Sequence, residues 1–174
     1  MKKFILPVLA AVLVIAAVIV IVTVPKKGAS ARESALPEGS VSAVSADTEQ
    51  EGVIRIPASS LSGETVSFIR VGEGSKVELL ARIGDDGLPK VALGTCQSCN
   101  GSPNAYYVQI QEYLRCNNCK LVFPINILDT PGGGCHPITI DPSVIIRQDE
   151  SGILLNRTAL VDMYEHLFAL IADH

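Results

Sequence analysis

The chain has 174 residues, no tryptophan and few aromatic residues, and its net charge is −4. This length allows one domain with accessory segments, whose core must consist mainly of valine, isoleucine and leucine. The mildly acidic charge and the lack of a basic cluster argue against a nucleic-acid-binding protein.

The N-terminal segment is strongly apolar. Two lysines precede an uncharged run over residues 4–24, and two lysines follow it. A helix of about 20 residues spans the hydrocarbon core of a bilayer. We therefore predict that residues 1–27 form one membrane anchor, in contact with lipid through residues 4–24. A cleaved signal peptide is the alternative, because residues 29–31 resemble a cleavage site, but the apolar run is longer than such signals usually have.

The orientation of the anchor is less strongly indicated, because lysines flank both of its ends and the positive-inside rule nearly ties. A short N-terminal anchor usually leaves the following domain outside the cytoplasm. We expect a single-pass protein of the cell membrane with an extracytoplasmic domain. Residues 28–51 are rich in alanine, serine and glutamate and have no hydrophobic periodicity, which predicts a flexible linker.

From residue 52 the alternation of apolar and polar residues indicates β-strands. The first four are predicted over residues 53–56, 65–71, 76–83 and 88–93. The last two of these are joined by Gly84-Asp85-Asp86-Gly87, which suits a hairpin turn because these residue types accept positive φ. A second hairpin is predicted further along, between residues 144–146 and 153–155.

Four of the five cysteines form two Cys-x-x-Cys pairs. Cys96 and Cys99 form the first pair, and Cys116 and Cys119 form the second. Two intervening residues let a tight turn aim both sulfurs at one point. The interval between the pairs lies within the range of about 15–20 residues that ribbon-type metal sites have. We predict that these four thiolates bind zinc or iron.

The neighbours of the pairs fit such a site. Asn100-Gly101 and Asn117-Asn118 tolerate the unusual backbone angles of metal-binding turns. Residues 106–110 are predicted to form a strand between the pairs. The apolar run over residues 121–125 is predicted to cover the site.

A glycine-rich segment, Gly132-Gly133-Gly134, precedes the fifth cysteine. Cys135 is predicted to lie at or near the metal, with a buried small residue or a free thiol as alternatives. His136 is a weaker candidate ligand, since imidazole suits the same metals, and a surface position is its alternative. Two disulfides with one spare cysteine are the alternative for the whole cluster, because an extracytoplasmic compartment permits them.

The C-terminal segment has the spacing of an amphipathic helix over residues 158–172, with Thr158 as its predicted N-cap. His166 and His174 are expected to be solvated residues near the helix end. The predicted packing face consists of Leu160, Tyr164, Leu167, Phe168 and Ile171.

These patterns predict a small α+β domain over residues 52–174 that is mostly β. It carries a zinc-ribbon-like four-cysteine insertion and a C-terminal helix, and one transmembrane helix precedes it. Because no catalytic triad, phosphate-binding loop or paired-carboxylate pattern is evident, we do not expect an enzyme.

The cysteine pattern resembles that of the FtrD-like membrane iron–sulfur protein family, over roughly residues 52–140. Besides the two cysteine pairs, the resemblance is carried by Tyr106-Tyr107, Phe123-Pro124-Ile125 and Gly133-Gly134-Cys135. The resemblance implies that the chain is a ferredoxin-like protein that serves a ferrous-iron uptake system, with an iron–sulfur cluster or a single iron as its cofactor. The chain's own partner would be a membrane permease or redox protein. The ligands implied by the resemblance are Cys96, Cys99, Cys116, Cys119 and Cys135.

Three functions are consistent with these features. The first is electron transfer by an iron centre, in iron uptake or respiration. The second is a zinc-stabilised interaction module that docks a membrane partner, and the third is a metal relay through Cys135 and His136. An iron–sulfur cluster outside the cytoplasm is normally exported in a folded domain with a twin-arginine signal, whereas this chain begins Met1-Lys2-Lys3. An extracytoplasmic domain therefore favours zinc, and a cytoplasmic domain removes the objection to a cluster.

Overall fold

A computed structural model describes residues 52–174 of the chain. These residues form ten β-strands, three short 3-10 helices and one α-helix. The strands are β1 Val53–Pro57, β2 Ser67–Arg70, β3 Glu78–Ile83, β4 Pro89–Cys96, β5 Tyr107–Ile110, β6 Tyr113–Cys116, β7 Val122–Pro124, β8 Pro137–Thr139, β9 Ile145–Asp149 and β10 Gly152–Asn156. The α-helix, α1, covers Arg157–Phe168, and the 3-10 helices cover Ala58–Ser60, Ile125–Asp129 and Pro142–Val144.

The predicted anchor over residues 1–27 and the predicted linker over residues 28–51 lie outside the described residues. Within residues 52–174, no helix combines the length and the apolar character needed to cross a membrane. The start of the domain at residue 52 stays a prediction.

The strands form three antiparallel sheets. The central sheet has the order β2-β3-β4-β8, and two three-stranded sheets have the orders β1-β10-β9 and β5-β6-β7. Both predicted hairpins are present, since β3 pairs with β4 and β9 pairs with β10. Residue 87 of the first turn has a φ of 80°, which glycine adopts without strain. The sequence pattern therefore predicted these two hairpins correctly, whereas the hairpin of β5 and β6 was not predicted.

Long-range pairing changes the bounds of the predicted strands. β4 continues past Leu93 to Cys96 because β8, which follows the glycine-rich segment, pairs with it and places Pro137 opposite Cys96. β2 begins later than predicted, at Ser67, where its pairing with β3 begins opposite Ala81. Strand ends are set by the partner strand, and the alternation within one segment does not reveal them.

The central sheet separates two hydrophobic cores, because neighbouring residues of a strand point to opposite faces. On β3, Leu79 packs into one core and Leu80 into the other. The helix-side core contains buried residues of β1, β10 and α1, among them Ile54, Ile56, Ile153, Leu155, Leu160, Tyr164 and Phe168. The cysteine-side core contains Val66, Leu80, Ala92, Cys96, Tyr107, Leu114, Cys116, Ile125, Ile127 and Leu128.

The predicted C-terminal helix is confirmed, but its predicted cap is wrong. The side-chain oxygen of Asn156, the last residue of β10, accepts a hydrogen bond from the Ala159 amide at 3.0 Å, whereas Thr158 is exposed. The strand leads directly into the helix, so the cap lies two residues earlier than predicted. The helix ends at Phe168, and a further turn still buries Ile171 in the helix-side core.

Candidate metal centre

The structure brings together the four sulfurs of the two cysteine pairs. The Sγ atoms of Cys96, Cys99, Cys116 and Cys119 all lie within 4.8 Å of one another. Cys96 ends β4 and Cys116 ends β6, and each strand is followed by the turn that carries the second cysteine of its pair. Two strand ends from different sheets therefore aim two turns at one point, as the spacing predicts.

The first turn is closed by main-chain hydrogen bonds. The Cys99 amide donates to the Cys96 carbonyl at 3.2 Å, and the Ser102 amide donates to the Cys99 carbonyl at 3.0 Å. Gly101 has a φ of 93°, in agreement with the prediction that this position takes an unusual backbone angle. The Cys96 side chain is completely buried, and Cys99 is partly exposed.

The second turn differs from the prediction in the residue that has positive φ. The Lys120 amide donates to the Cys116 carbonyl at 2.9 Å, and Lys120 itself has a φ of 63°, whereas neither Asn117 nor Asn118 does. The turn closes after Cys119, so the left-handed residue follows the pair. The Lys120 ammonium donates to the Asn117 side-chain oxygen at 3.0 Å, which offsets part of the cost of this conformation.

The fifth cysteine lies beside the four. The sulfur of Cys135 is 3.7 Å from that of Cys119. Its segment is attached to the first turn because the Ser98 amide donates to the Gly134 carbonyl and the Gln97 amide to the His136 carbonyl, both at 3.0 Å. The prediction that Cys135 lies near the site is consistent with this position, and its role as a ligand stays a prediction.

His136 has a different environment. Its ring packs against Phe123, with ring centroids 5.5 Å apart. Its Nδ1 atom is buried without a hydrogen-bond partner, and a Cβ added to Gly132 would lie 1.8 Å from it. The geometry does not place this imidazole among the four converging sulfurs, and metal binding by His136 stays a prediction.

Tyr107 is a further residue of the site, which the sequence placed in a strand and in the family resemblance but to which it assigned no role. It is 1% exposed and lies opposite Cys116 in the β5–β6 ladder. Its hydroxyl donates to the Cys135 carbonyl at 2.5 Å. Burial and the nearby Cys96 thiol raise its pKa, so the hydroxyl keeps its proton. The sequence contained a signal for this role. Successive residues of a strand point to opposite faces, so only one of Tyr106 and Tyr107 can face the cysteines.

The thiols differ in acidity because they differ in burial and in hydrogen bonding. Burial raises the pKa of Cys96 to about 11 and the pKa of Cys116 to about 12. Burial also raises the pKa of Cys119, but the Leu121 amide and the Cys116, Cys135 and Cys99 thiols outweigh burial and lower it to about 7. Metal ligation requires thiolates, so a bound metal must displace protons from the two inner cysteines.

The predicted apolar cover over residues 121–125 is only partly correct. Ile125 is buried in the cysteine-side core and Phe123 packs against it, but Leu121 and Val122 are each 51% exposed. All five cysteines are free thiols in the described part of the chain, so the disulfides of the alternative interpretation are not present there.

Comparison with known proteins agrees with the site. The family model described as "Membrane iron-sulfur containing protein FtrD-like" matches residues 61–167. This match includes all five cysteines and most of α1. No curated protein and no solved structure matches the chain. Because the match covers more than half of the chain and contains the four converging thiols, the chain belongs to the FtrD-like family of membrane iron–sulfur proteins.

Proposed function

We propose that the chain is a membrane-anchored electron-transfer protein whose paired cysteines hold an iron centre, in support of iron uptake or another membrane redox system. The observation that carries this proposal is the convergence of four thiols within 4.8 Å of one another. The description of the family as membrane iron–sulfur proteins supports iron as the metal.

The donor set fits a metal of this kind. Bonds of about 2.3 Å from one tetrahedral ion place its ligand sulfurs about 3.8 Å apart, and the observed limit of 4.8 Å is close to that value. A cluster of several irons distributes its thiolates over different irons, so the sulfurs lie farther apart. The compact arrangement favours a single ion, and a cluster requires the two cysteine turns to separate.

The roles of the chain's residues follow from their burial. Cys96 and Cys116 would hold the metal from within the cysteine-side core, whereas Cys99 and Cys119 are partly exposed and offer a short path to a redox partner. An iron centre supplies one-electron chemistry when it is bound. The Leu121 amide, which stabilises the Cys119 thiolate, would favour the more negative reduced state.

The proposal is tested by purifying the 174-residue chain without oxygen and measuring its visible absorption, iron and acid-labile sulfide. We expect iron and broad visible absorption that changes when a reductant is added. Sulfide in equal amount to the iron would indicate a cluster, and iron without sulfide would indicate a single ion. A colourless protein with one equivalent of zinc would contradict electron transfer.

A zinc-stabilised interaction module is the second candidate, and the compact sulfur spacing favours it as much as it favours a single iron. The predicted extracytoplasmic domain also favours zinc, because zinc can be acquired after export. Protease accessibility in sealed cells tests the orientation. Protection of residues 52–174 would remove the objection to a cluster, and cleavage would strengthen the zinc alternative.

The ligand role of Cys135 is tested separately by Cys135→Ser. If the four paired cysteines are sufficient, the variant keeps its metal content and the position of its absorption bands. Because the Cys135 sulfur contacts that of Cys119 at 3.7 Å, we expect at most a small shift in reduction potential. Loss of the metal would place Cys135 among the ligands.

A further inference from the structure

A cavity of about 200 Å³ lies between the start of β3, the residue before β5 and the segment that follows α1. Its charged and aromatic lining residues are Arg70, Lys76, Glu78, Tyr106, Phe168, Asp173 and His174. None of these belongs to the four-thiol centre, and neither the family description nor the proposed electron transfer assigns them a role.

Glu78 is the most unusual of these residues. Its side chain is 7% exposed, and its Oε1 atom is buried without a hydrogen-bond partner. This oxygen lies over Gly94, another lining residue, where an added Cβ would be 2.7 Å from it. A carboxylate oxygen can only accept hydrogen bonds or bind a cation, and burying it without either is costly. The free oxygen therefore indicates an occupant that is a donor or a cation.

His174 presents a second ligand atom to the same place. Its Nε2 atom is 3.4 Å from Glu78 Oε2, and its Nδ1 atom is 3.0 Å from the Ala172 carbonyl. A carbonyl only accepts, so Nδ1 carries the donated proton and, in the neutral ring, Nε2 keeps its lone pair towards Glu78. Metal-binding histidines usually have this arrangement, in which the second ring nitrogen donates to a carbonyl.

The imidazole is also held in position by its neighbours. The ring stacks on Tyr106, with centroids 3.8 Å apart and planes 8° from parallel. The Tyr106 hydroxyl accepts a hydrogen bond from the Asn117 side chain at 2.8 Å. His174 is exposed as a residue, as expected, but its side chain is only 21% exposed because the segment after α1 folds back against Tyr106. His166 is also exposed as expected.

We propose that Glu78 and His174 bind one divalent first-row transition-metal ion in this cavity, separate from the cysteine centre. Two ligand atoms at about 2.1 Å from a tetrahedral ion are about 3.4 Å apart, which equals the Nε2–Oε2 distance. An imidazole beside a carboxylate suits iron, nickel, copper and zinc better than magnesium or calcium. Water molecules in the cavity would occupy the remaining positions.

Two cationic side chains of the cavity lower the affinity that we expect for the metal ion. The Arg70 guanidinium donates to the His174 carbonyl at 3.3 Å, and the Lys76 ammonium donates to the Ile171 carbonyl at 3.5 Å. Both hold the segment after α1 in place, but their charge opposes a metal ion. We therefore expect this site to bind more weakly than the four thiols and to fill second.

The test uses the 174-residue chain without an affinity tag, with one equivalent of zinc already bound by the cysteines. Co2+ is then added and followed by calorimetry and absorption. We expect one further equivalent to bind without the intense near-ultraviolet absorption of cobalt–thiolate bonds. Glu78→Gln and His174→Gln should each weaken this second event by at least about tenfold. Glu150→Gln, which removes an exposed carboxylate from the β9–β10 turn, should leave it unchanged.

His174→Gln keeps the test decisive if Glu78→Gln proves unstable, because it changes only a side chain in the segment beyond α1. The absence of a second equivalent in the wild-type chain would overturn the proposal. A second equivalent that both variants retain would also overturn it. Failure of the first, zinc-binding event would instead count against the cysteine centre, so the two proposals are tested independently.

Discussion

The two faces of the central sheet are covered in different ways. On one face the helix-side core consists of aliphatic and aromatic residues from β1, β10 and α1. On the other face the cysteine-side core includes or contacts all five cysteines. Its outer layer is the β5-β6-β7 sheet, whose strands have only three or four residues each. One sheet therefore supports an ordinary apolar core and a core built around sulfur.

The helix-side half and the cysteine-side half of the domain differ in what stabilises them. Burial of large apolar side chains stabilises the helix-side core, at about 25 cal/mol per Å² of apolar surface removed from water. Three short strands with a small apolar face are close to the limit of independent stability. We therefore expect the β5-β6-β7 sheet to depend on its metal, because metal binding and folding are coupled where four thiols hold a small sheet together.

The largest expected effect follows from removing one inner cysteine. Cys116→Ser should abolish tight metal binding, because Cys116 is fully buried and its sulfur is one of the four that converge. Hydrogen exchange should then become fast in β5, β6 and β7 and stay slow in β3, β4 and β10. Glu112→Gln, which changes an exposed side chain in the β5–β6 turn, is the control and should leave both patterns unchanged. Equal loss of protection on both faces would show that the two halves unfold together.

Phe168→Ala tests the opposite face. Phe168 is 1% exposed in the helix-side core, and truncation of a buried phenylalanine costs about 3–5 kcal/mol. We expect that loss in urea unfolding monitored by circular dichroism, with the metal content of the folded protein unchanged. Leu170→Ala, at a position that is 64% exposed, is the control and should have little effect. A loss of metal at constant folded fraction would contradict the independence of the two faces.

Arg82 attaches the 3-10 helix of the cysteine-side half to the central sheet and should have an intermediate effect. Its side chain is 4% exposed and pairs with Asp129, at the end of the 3-10 helix after β7, at 2.8 Å. It also donates to the Gly63 carbonyl at 3.0 Å. Arg82→Met should cost about 3 kcal/mol, because it leaves the Asp129 carboxylate without its buried partner.

The control for Arg82 is its exposed partner. Asp85, which is 65% exposed, also pairs with Arg82, and Asp85→Asn should cause a much smaller loss of stability in urea unfolding because solvent screens this pair. Equal losses in the two variants would mean that this attachment does not depend on the buried part of the network.

The smallest expected effect is a dependence of stability on pH that involves His174. Its hydrogen bond with Glu78 raises the pKa of the imidazole. A raised folded-state pKa means that the pair stabilises the fold fully below the unfolded pKa of about 6.5, and that this contribution is lost as the pH rises through the raised value. With zinc bound and no other metal added, the melting temperature of the wild type should exceed that of His174→Gln by more at about pH 6 than at about pH 9. A constant difference would mean that the pair does not titrate.

Most of the local structure was predictable because the signals lie within short segments. The hairpin at residues 84–87, the stripe of α1 and the two cysteine turns each depend on spacing that a few consecutive residues provide. Two of the errors were also local. Asn156 caps α1 instead of Thr158 because β10 runs directly into the helix, and Lys120 takes the left-handed angle because the second turn closes after Cys119. A residue's propensity does not show where the neighbouring element ends.

The sequence by itself determined the metal-site hypothesis, the β-rich character and the final helix, since each is written in a periodic or fixed spacing. Only the tertiary structure decided which strands pair across long distances, such as β1 with β10, and which side chains meet there. The contact of Glu78 with His174 is of this kind. No spacing rule relates residues so far apart in the chain, because their approach depends on how the sheets and α1 pack together. The cysteine centre could therefore be predicted from the sequence, and the cavity lined by Glu78 and His174 could not.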